Sequence, residues 1–270
     1  MRKLAGFLIL INMLGASYST FAANPGEGKW VAEEVFRSAN IGGMTGLIHM
    51  NSAYTVRDGE MQVNVGLTAE SVGGIDYLQA PFAITYGLAD NKEFGLVTRY
   101  ITDSVGNAGT GGAEMKLKWR FRKQTEYLPA SSLAFGLIFP AGPAALNEVT
   151  SWGARINLLF ASEAGFTETG YIGMYLDLGA TAIDPGAATA QNYFDNSVGL
   201  LFPISDDNRL QLILEYNSIT GRTFAYLGST NYTAITWGIR YASQSFKMTL
   251  GAENRDNNST KVVGTLGFEF

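Results

Sequence analysis

The chain contains no cysteine and a single histidine, His49. Without thiols there is no disulfide framework and no thiolate metal site. With one imidazole there is no histidine-based metal cluster, and a Ser-His-Asp triad cannot be assembled from residues beyond 60. Charge is also scarce, at 16% of residues, and acids outnumber bases (24 against 19), so nucleic-acid binding has no general electrostatic support. Past the N-terminal segment no apolar run reaches the length of a spanning helix. The 32 glycines have no period, which excludes collagen-like repeats. No Gly-x-Gly-x-x-Gly signature falls between a strand and a helix, so no cofactor is expected. What the chain does have is apolar content, 46% hydrophobic and 12% aromatic.

Residues 1–23 have the order of a secretory signal peptide. Arg2 and Lys3 precede an apolar run from Leu4 to Leu14, and small and polar residues lead to Thr20-Phe21-Ala22-Ala23. Cleavage after Ala22 puts small residues at −3 and −1, whereas cleavage after Ala23 leaves Phe21 at −3. Removing Arg2 and Lys3 makes the remainder more acidic. Residues 24–60 form an N-terminal segment that either hangs in the periplasm or plugs the domain that follows. Within it Trp30–Arg37 has the spacing of a short amphipathic helix.

From residue 61 onward the hydropathy has a period of two. In Glu114-Met115-Lys116-Leu117-Lys118-Trp119-Arg120-Phe121-Arg122 every second residue is charged and every other one is large and apolar. Side chains alternate across a strand, so one face is ionised and the other greasy. Leu210, Leu212, Leu214 and Tyr216 oppose Gln211, Glu215 and Asn217. Twelve such runs follow one another: 61–68, 75–88, 93–101, 113–122, 132–139, 151–161, 170–180, 192–204, 209–217, 232–241, 246–254 and 261–270. Most hold roughly the 9–11 residues that a tilted strand needs to cross a bilayer. A soluble barrel produces the same alternation with its large residues inside. Three features favour lipid. Connections after even-numbered runs, such as 89–92 and 242–245, are shorter than those after odd-numbered runs, such as 102–112 and 218–231, as in outer-membrane barrels. Asp90-Asn91-Lys92 and Asp206-Asp207-Asn208 suit tight turns, while 106–112 and 184–188 read as loop tips. Tyr100, Trp119, Phe121, Trp152, Phe160, Tyr216, Trp237, Tyr241 and Phe270 lie on the apolar parity as candidates for interfacial girdles. Finally, the terminal strand Val263–Phe270 ends in phenylalanine and resembles the assembly signal of bacterial outer-membrane barrels.

The expected fold is therefore all-β: a closed antiparallel up-and-down transmembrane barrel of about 12 strands over 61–270. Closure is required, because an open edge in hydrocarbon strands backbone N–H and C=O groups at several kcal/mol each. The stretch Gln79–Leu96, with its Tyr86-Gly87-Leu88-Ala89-Asp90 turn, returns in rhythm at Phe202–Asp207. Preceded by Thr45-Gly46-Leu47-Ile48 and Ser52–Glu60, it resembles small outer-membrane barrel transporters such as the meta-pathway phenol-degradation barrel family. That resemblance spans roughly 45–270 and implies passive or facilitated movement of small molecules.

Parity assigns Arg99, Lys116, Lys118, Arg120, Arg122 and Arg155 to the inner face, with Arg209, Arg240 and Lys247. It also assigns Asp177, Asp195, Glu215 and Glu253 inward, and, outside this pore-lining set, Lys261, Glu93, Glu114 and Glu269. Inward bases outnumber inward acids, and the stripe Lys116-Lys118-Arg120-Arg122 would attract small anions in a narrow low-dielectric channel; alternatively these charges pair into a ladder that fills and stiffens the barrel. Asp177 and Asp195, on neighbouring runs, are the one carboxylate pair placed for acid–base work, but lumenal ion pairing is the favoured role, and no catalytic residue, enzyme activity or metal is expected. The expected surroundings are the outer membrane of a Gram-negative-type bacterium, with the lipid bilayer, lipopolysaccharide and the barrel assembly machinery as partners, an unidentified small solute, and no nucleic acid. The alternative is a structural or assembly barrel with a plugged lumen, accessory to envelope polymer export.

Overall fold

The computed structural model describes residues 38–270, apart from 73, 126, 147–148, 166–170, 186–190, 206–208, 225–227, 244 and 257–258. The expected signal peptide and the helix at Trp30–Arg37 lie outside the described residues. Twelve strands follow in order: β1 (Met61–Val72), β2 (Ile75–Ala89), β3 (Lys92–Asp103), β4 (Ala108–Arg122), β5 (Ala130–Phe139), β6 (Gly153–Gly165), β7 (Tyr171–Ile183), β8 (Gln191–Pro203), β9 (Leu210–Phe224), β10 (Gly228–Ala242), β11 (Phe246–Arg255) and β12 (Thr260–Glu269). Each pairs antiparallel with its sequence neighbours, and β1 closes onto β12 in the register Gln62↔Glu269 through Glu70↔Lys261. Closure leaves no free sheet edge.

The sidedness follows the alternation. Leu117 and Trp119 are 46% and 48% exposed on the outer face, while Lys116 and Lys118 between and beside them are 6% and 0% exposed inside. The same holds for Leu250 against Thr249 and for Trp237 against Thr236. Most of the expected girdle residues face outward and are exposed; Phe160 and Tyr241 are half-buried. Tyr241 packs against Phe246, which in turn meets Phe268 at the end where both barrel termini lie.

Two expectations need correction. The strands run further than the hydropathy suggested, so the contrast between long and short connections narrows. The segment 218–231 is mostly strand, in β9 as far as Phe224 and in β10 from Gly228, and the expected loop tip at 106–112 is largely the start of β4. Backbone pairing continues past the membrane-sized apolar belt because two strands that leave together keep satisfying one another. The longest remaining connection, 140–152, folds inward: Leu146 packs against Tyr77 and Ile101, and Val149 against Ile138, Ile183 and Tyr193. Its far end is fixed by Asp184, which sits at φ 45°, a backbone region that aspartate tolerates better than most residues. Burial alone would raise Asp184, but hydrogen bonds from the backbone of Thr150 and Ser151 outweigh it and hold the carboxyl below its ordinary range.

Residues 38–56 lie inside the barrel, and nearly all of them are buried. They double back on themselves through the bridges Ala39↔Thr45 and Gly46↔Asn51. Asn40 organises the reversal. Its Oδ1 accepts the N–H groups of Gly42 and Met44, and its Nδ2 donates to the carbonyls of His49 and Met50. Gly46 has no room for a side chain, since a Cβ there would stand 2.1 Å from the Met50 carbonyl oxygen.

Candidate functional site in the barrel lumen

The inner segment has no sheet ladder of its own along most of its length, so its backbone groups must find other partners. The wall supplies them from nearly every side. Glu93 on β3 accepts the Thr45 N–H at 2.9 Å, the Thr45 hydroxyl at 2.5 Å and the Val56 N–H at 2.8 Å. Lys118 on β4, 3.0 Å from Glu93, donates to the carbonyls of Thr45 and Ser52. Glu215 on β9 accepts the N–H groups of Ile48 and His49. Asp177 on β7 accepts the Asn51 N–H, and Arg240 on β10 donates to the carbonyls of Gly46 and Leu47. Thr85 and Ser132 donate to the carbonyls of Gly43 and Ala53. Carboxylates thus meet N–H groups and cations meet carbonyls, each a charge-assisted bond in a site away from bulk water. The recognition is of main chain.

Apolar packing adds to this. Met44, Leu47, Ile48, Met50 and Tyr54 form one cluster with Leu159, Tyr171, Tyr175, Leu201 and Ile213 of the inner wall. Glycines of the wall give the segment its space. A Cβ at Gly87 would lie 1.8 Å from the Arg57 carbonyl oxygen, and one at Gly95 would lie 2.2 Å from that of Gly43.

A second layer of charge lies nearer the 140–152 loop. Glu114 pairs with Lys116 and Arg155, each at 3.3 Å, and Arg155 also donates to the Tyr193 hydroxyl. Arg255 bridges Glu70 at 2.9 Å and Glu253 at 2.5 Å. His49, at the inner end of the segment, brings Nε2 to 3.1 Å from Glu253, off the angle of a hydrogen bond. Burial pulls the imidazole down to about 4, further than Glu253 raises it, so His49 is neutral at pH 7.

Most of the expected pore-lining set therefore faces the interior, but it does not form an open stripe. Lys116, Lys118, Asp177, Glu215, Arg240 and Glu253 are buried and engaged as above, and Lys247 pairs with Glu269. Arg120 and Arg122 serve the rim, donating to the carbonyls of Asp90 and Pro129. Asp195 and Arg99 are half-buried on the inner parity. Arg209 is a correction: it stands exposed in the connection before β9, outside the lumen, because the strand begins one residue later. Asp177 and Asp195 do not form an acid–base pair in a cleft, since both Asp177 oxygens are taken by Asn51 and Asn157. Glu70, Glu163 and Arg255 are inward charges that the sequence runs missed, each one or two residues beyond a run's end. A cleft of about 520 Å³ at the end of β1–β3 is lined by Ser71, Leu78 and Thr102 of the outer face together with the inward Glu70 and Tyr77.

No protein-family model matches the chain, and no curated protein does. Solved structures do. An outer-membrane channel from Pseudomonas putida F1 superposes with a TM-score of 0.58, covering 83% of this chain and 100% of that one at 10% identity. The chain has the fold of an outer-membrane channel. The KdgM porin matches with a TM-score of 0.52 over 77% of this chain and 99% of its own, at 11% identity. At such identity the likeness is one of architecture.

Proposed function

We propose that this protein is an outer-membrane channel for small solutes, closed in this conformation by residues 38–56 acting as a plug. The observation that carries the reading is the pairing of an outward apolar belt with an ionised interior whose charges grip the inner segment 38–56 through its backbone. A barrel built only as a scaffold has no need of a wall that satisfies some twenty residues of non-sheet chain group by group. The fold shared with solved outer-membrane channels supports the same reading, as does the order of a signal peptide at residues 1–23. Wall residues meet lipid, and the lumenal charges both seat the plug and set the field that a solute crosses.

Planar-bilayer recording tests this. The native chain should show rare, brief openings, and a chain lacking residues 38–56 should conduct steadily. If the shortened barrel folds and passes no current and no solute, the channel reading fails. The assembly reading then gains, for it makes the same segment a partner-binding element whose loss abolishes capture of that partner.

A further inference from the structure

We propose that Arg240 and Glu215 form a clamp for the main chain of a short peptide, and that peptides without charged side chains are the solutes this channel carries. The inference deepens the channel reading and rests on it, because it names the class of solute.

The clamp holds three consecutive peptide units. Arg240 donates from Nη1 to the Gly46 carbonyl at 3.2 Å and from Nη2 to the Leu47 carbonyl at 2.7 Å. Glu215 accepts the next two N–H groups, that of Ile48 at 2.6 Å and that of His49 at 3.1 Å. The unit joining Leu47 to Ile48 is therefore gripped on both edges, its carbonyl by the guanidinium and its N–H by the carboxylate. Both side chains are buried on the inner face of the paired strands β9 and β10. Among the described residues neither stands in an ion pair, so peptide groups, with Asn217 beside Glu215 and Thr249 beside Arg240, compensate the two charges. A buried charge without compensation is costly. On β7, Asp177 adds a third such contact, accepting the Asn51 N–H.

This pairing selects among solutes. A small anion would satisfy Arg240 but meet Glu215 as a like charge, and a small cation would do the reverse. A peptide unit carries an acceptor on one edge and a donor on the other, and satisfies both with charge-assisted bonds. The plug itself follows the rule, since residues 38–56 contain no Asp, Glu, Lys or Arg. Main-chain groups are common to all peptides, so the clamp does not depend on one sequence. The surroundings are permissive too. Leu47, Ile48 and Met50 meet the apolar side chains of Leu159, Leu201 and Ile213, and a Cβ at Gly199 would stand 2.4 Å from Leu47 Cδ1 and 2.3 Å from Met50 Sδ. An apolar pocket discriminates only weakly between side chains that differ by a methylene.

The test is titration calorimetry in detergent micelles on the full-length Gly46→Val chain. A Cβ at 46 would stand 2.1 Å from the Met50 carbonyl oxygen, so this change undoes the turn of the plug and leaves the wall as it is. The probe is acetyl-Gly-Leu-Ile-Ala methylamide, which offers the same two carbonyls and two N–H groups. It should bind, and should bind the native chain at least about tenfold more weakly, because the native plug competes. Its analogue methylated on the Ile and Ala nitrogens keeps every side chain and loses both donors, and should lose at least about tenfold in affinity. Acetyl-Gly-Val-Leu-Ala methylamide, with other side chains on the same backbone, should bind within about tenfold of the first probe. Adding Arg240→Gln should weaken both peptides together. Absence of binding, equal binding of the methylated analogue, or loss of binding on changing the side chains alone would each overturn the clamp. Flux into proteoliposomes separates this from the channel reading. A chain that binds the peptide but lets no solute across sinks the channel and leaves the clamp standing. A barrel that passes arabinose as fast as the probe peptide, and binds neither, keeps the channel and removes the peptide class.

Discussion

In planar lipid bilayers, Glu93→Gln should turn a mostly closed protein into one that is mostly open. Glu93 and Lys118 are both 0% exposed, 3.0 Å apart, and together bind the backbone of Thr45, Ser52 and Val56. Neutralising one partner of a buried pair leaves the other charge uncompensated, at about 3–5 kcal/mol. That cost falls on the docked state alone, because water reaches Lys118 once the plug has left. Each 1.4 kcal/mol is a factor of ten, so the closed-to-open ratio should fall by roughly a hundredfold or more. Gly95→Val should act in the same direction with no change of charge, because its side chain would displace the Gly43 backbone. Single-channel records with unchanged open probability in both variants, from barrels that retain heat-modifiable migration, would show that residues 38–56 do not gate.

The second large effect is on the wall. Leu117→Arg should destabilise the barrel by about 2–4 kcal/mol in reversible unfolding from bilayers, the cost of an arginine near the hydrocarbon midplane. Val105→Arg, in the connection beyond β3 and 64% exposed, should cost about 0–1 kcal/mol. The gradient between the two positions is the signature of a lipid solvent. A water-facing wall would accept both substitutions alike.

The barrel was legible in the sequence because its physics is local. A strand with lipid on one side and charge on the other must alternate, and twelve alternations in a row leave little else to build. The plug was less legible, since its partners are scattered over the whole chain. One signal did exist. Leu158-Leu159, Leu200-Leu201 and Leu212-Ile213-Leu214 break the alternation, with Leu159, Leu201 and Ile213 apolar on the inner parity. A strand that is greasy on both faces has protein on one and lipid on the other. The missed charges Glu70, Glu163 and Arg255 share a different cause. Alternation fades where a strand leaves the apolar belt, while backbone pairing goes on, so hydropathy cut these strands short of their last inward residues. Arg209 errs the opposite way, being counted into a strand that starts at Leu210.

Each face of the sheet meets its own solvent, lipid outside and the enclosed interior within. The chain has no cysteine, so single substitutions place spin labels cleanly. Labels at Lys116→Cys, Leu117→Cys, Thr249→Cys and Leu250→Cys in reconstituted bilayers should respond differently to oxygen, which concentrates in hydrocarbon. Strong oxygen relaxation at 117 and 250 with little at 116 and 249 is the predicted pattern. Strong relaxation by a water-soluble nickel chelate at 117 and 250 would contradict it.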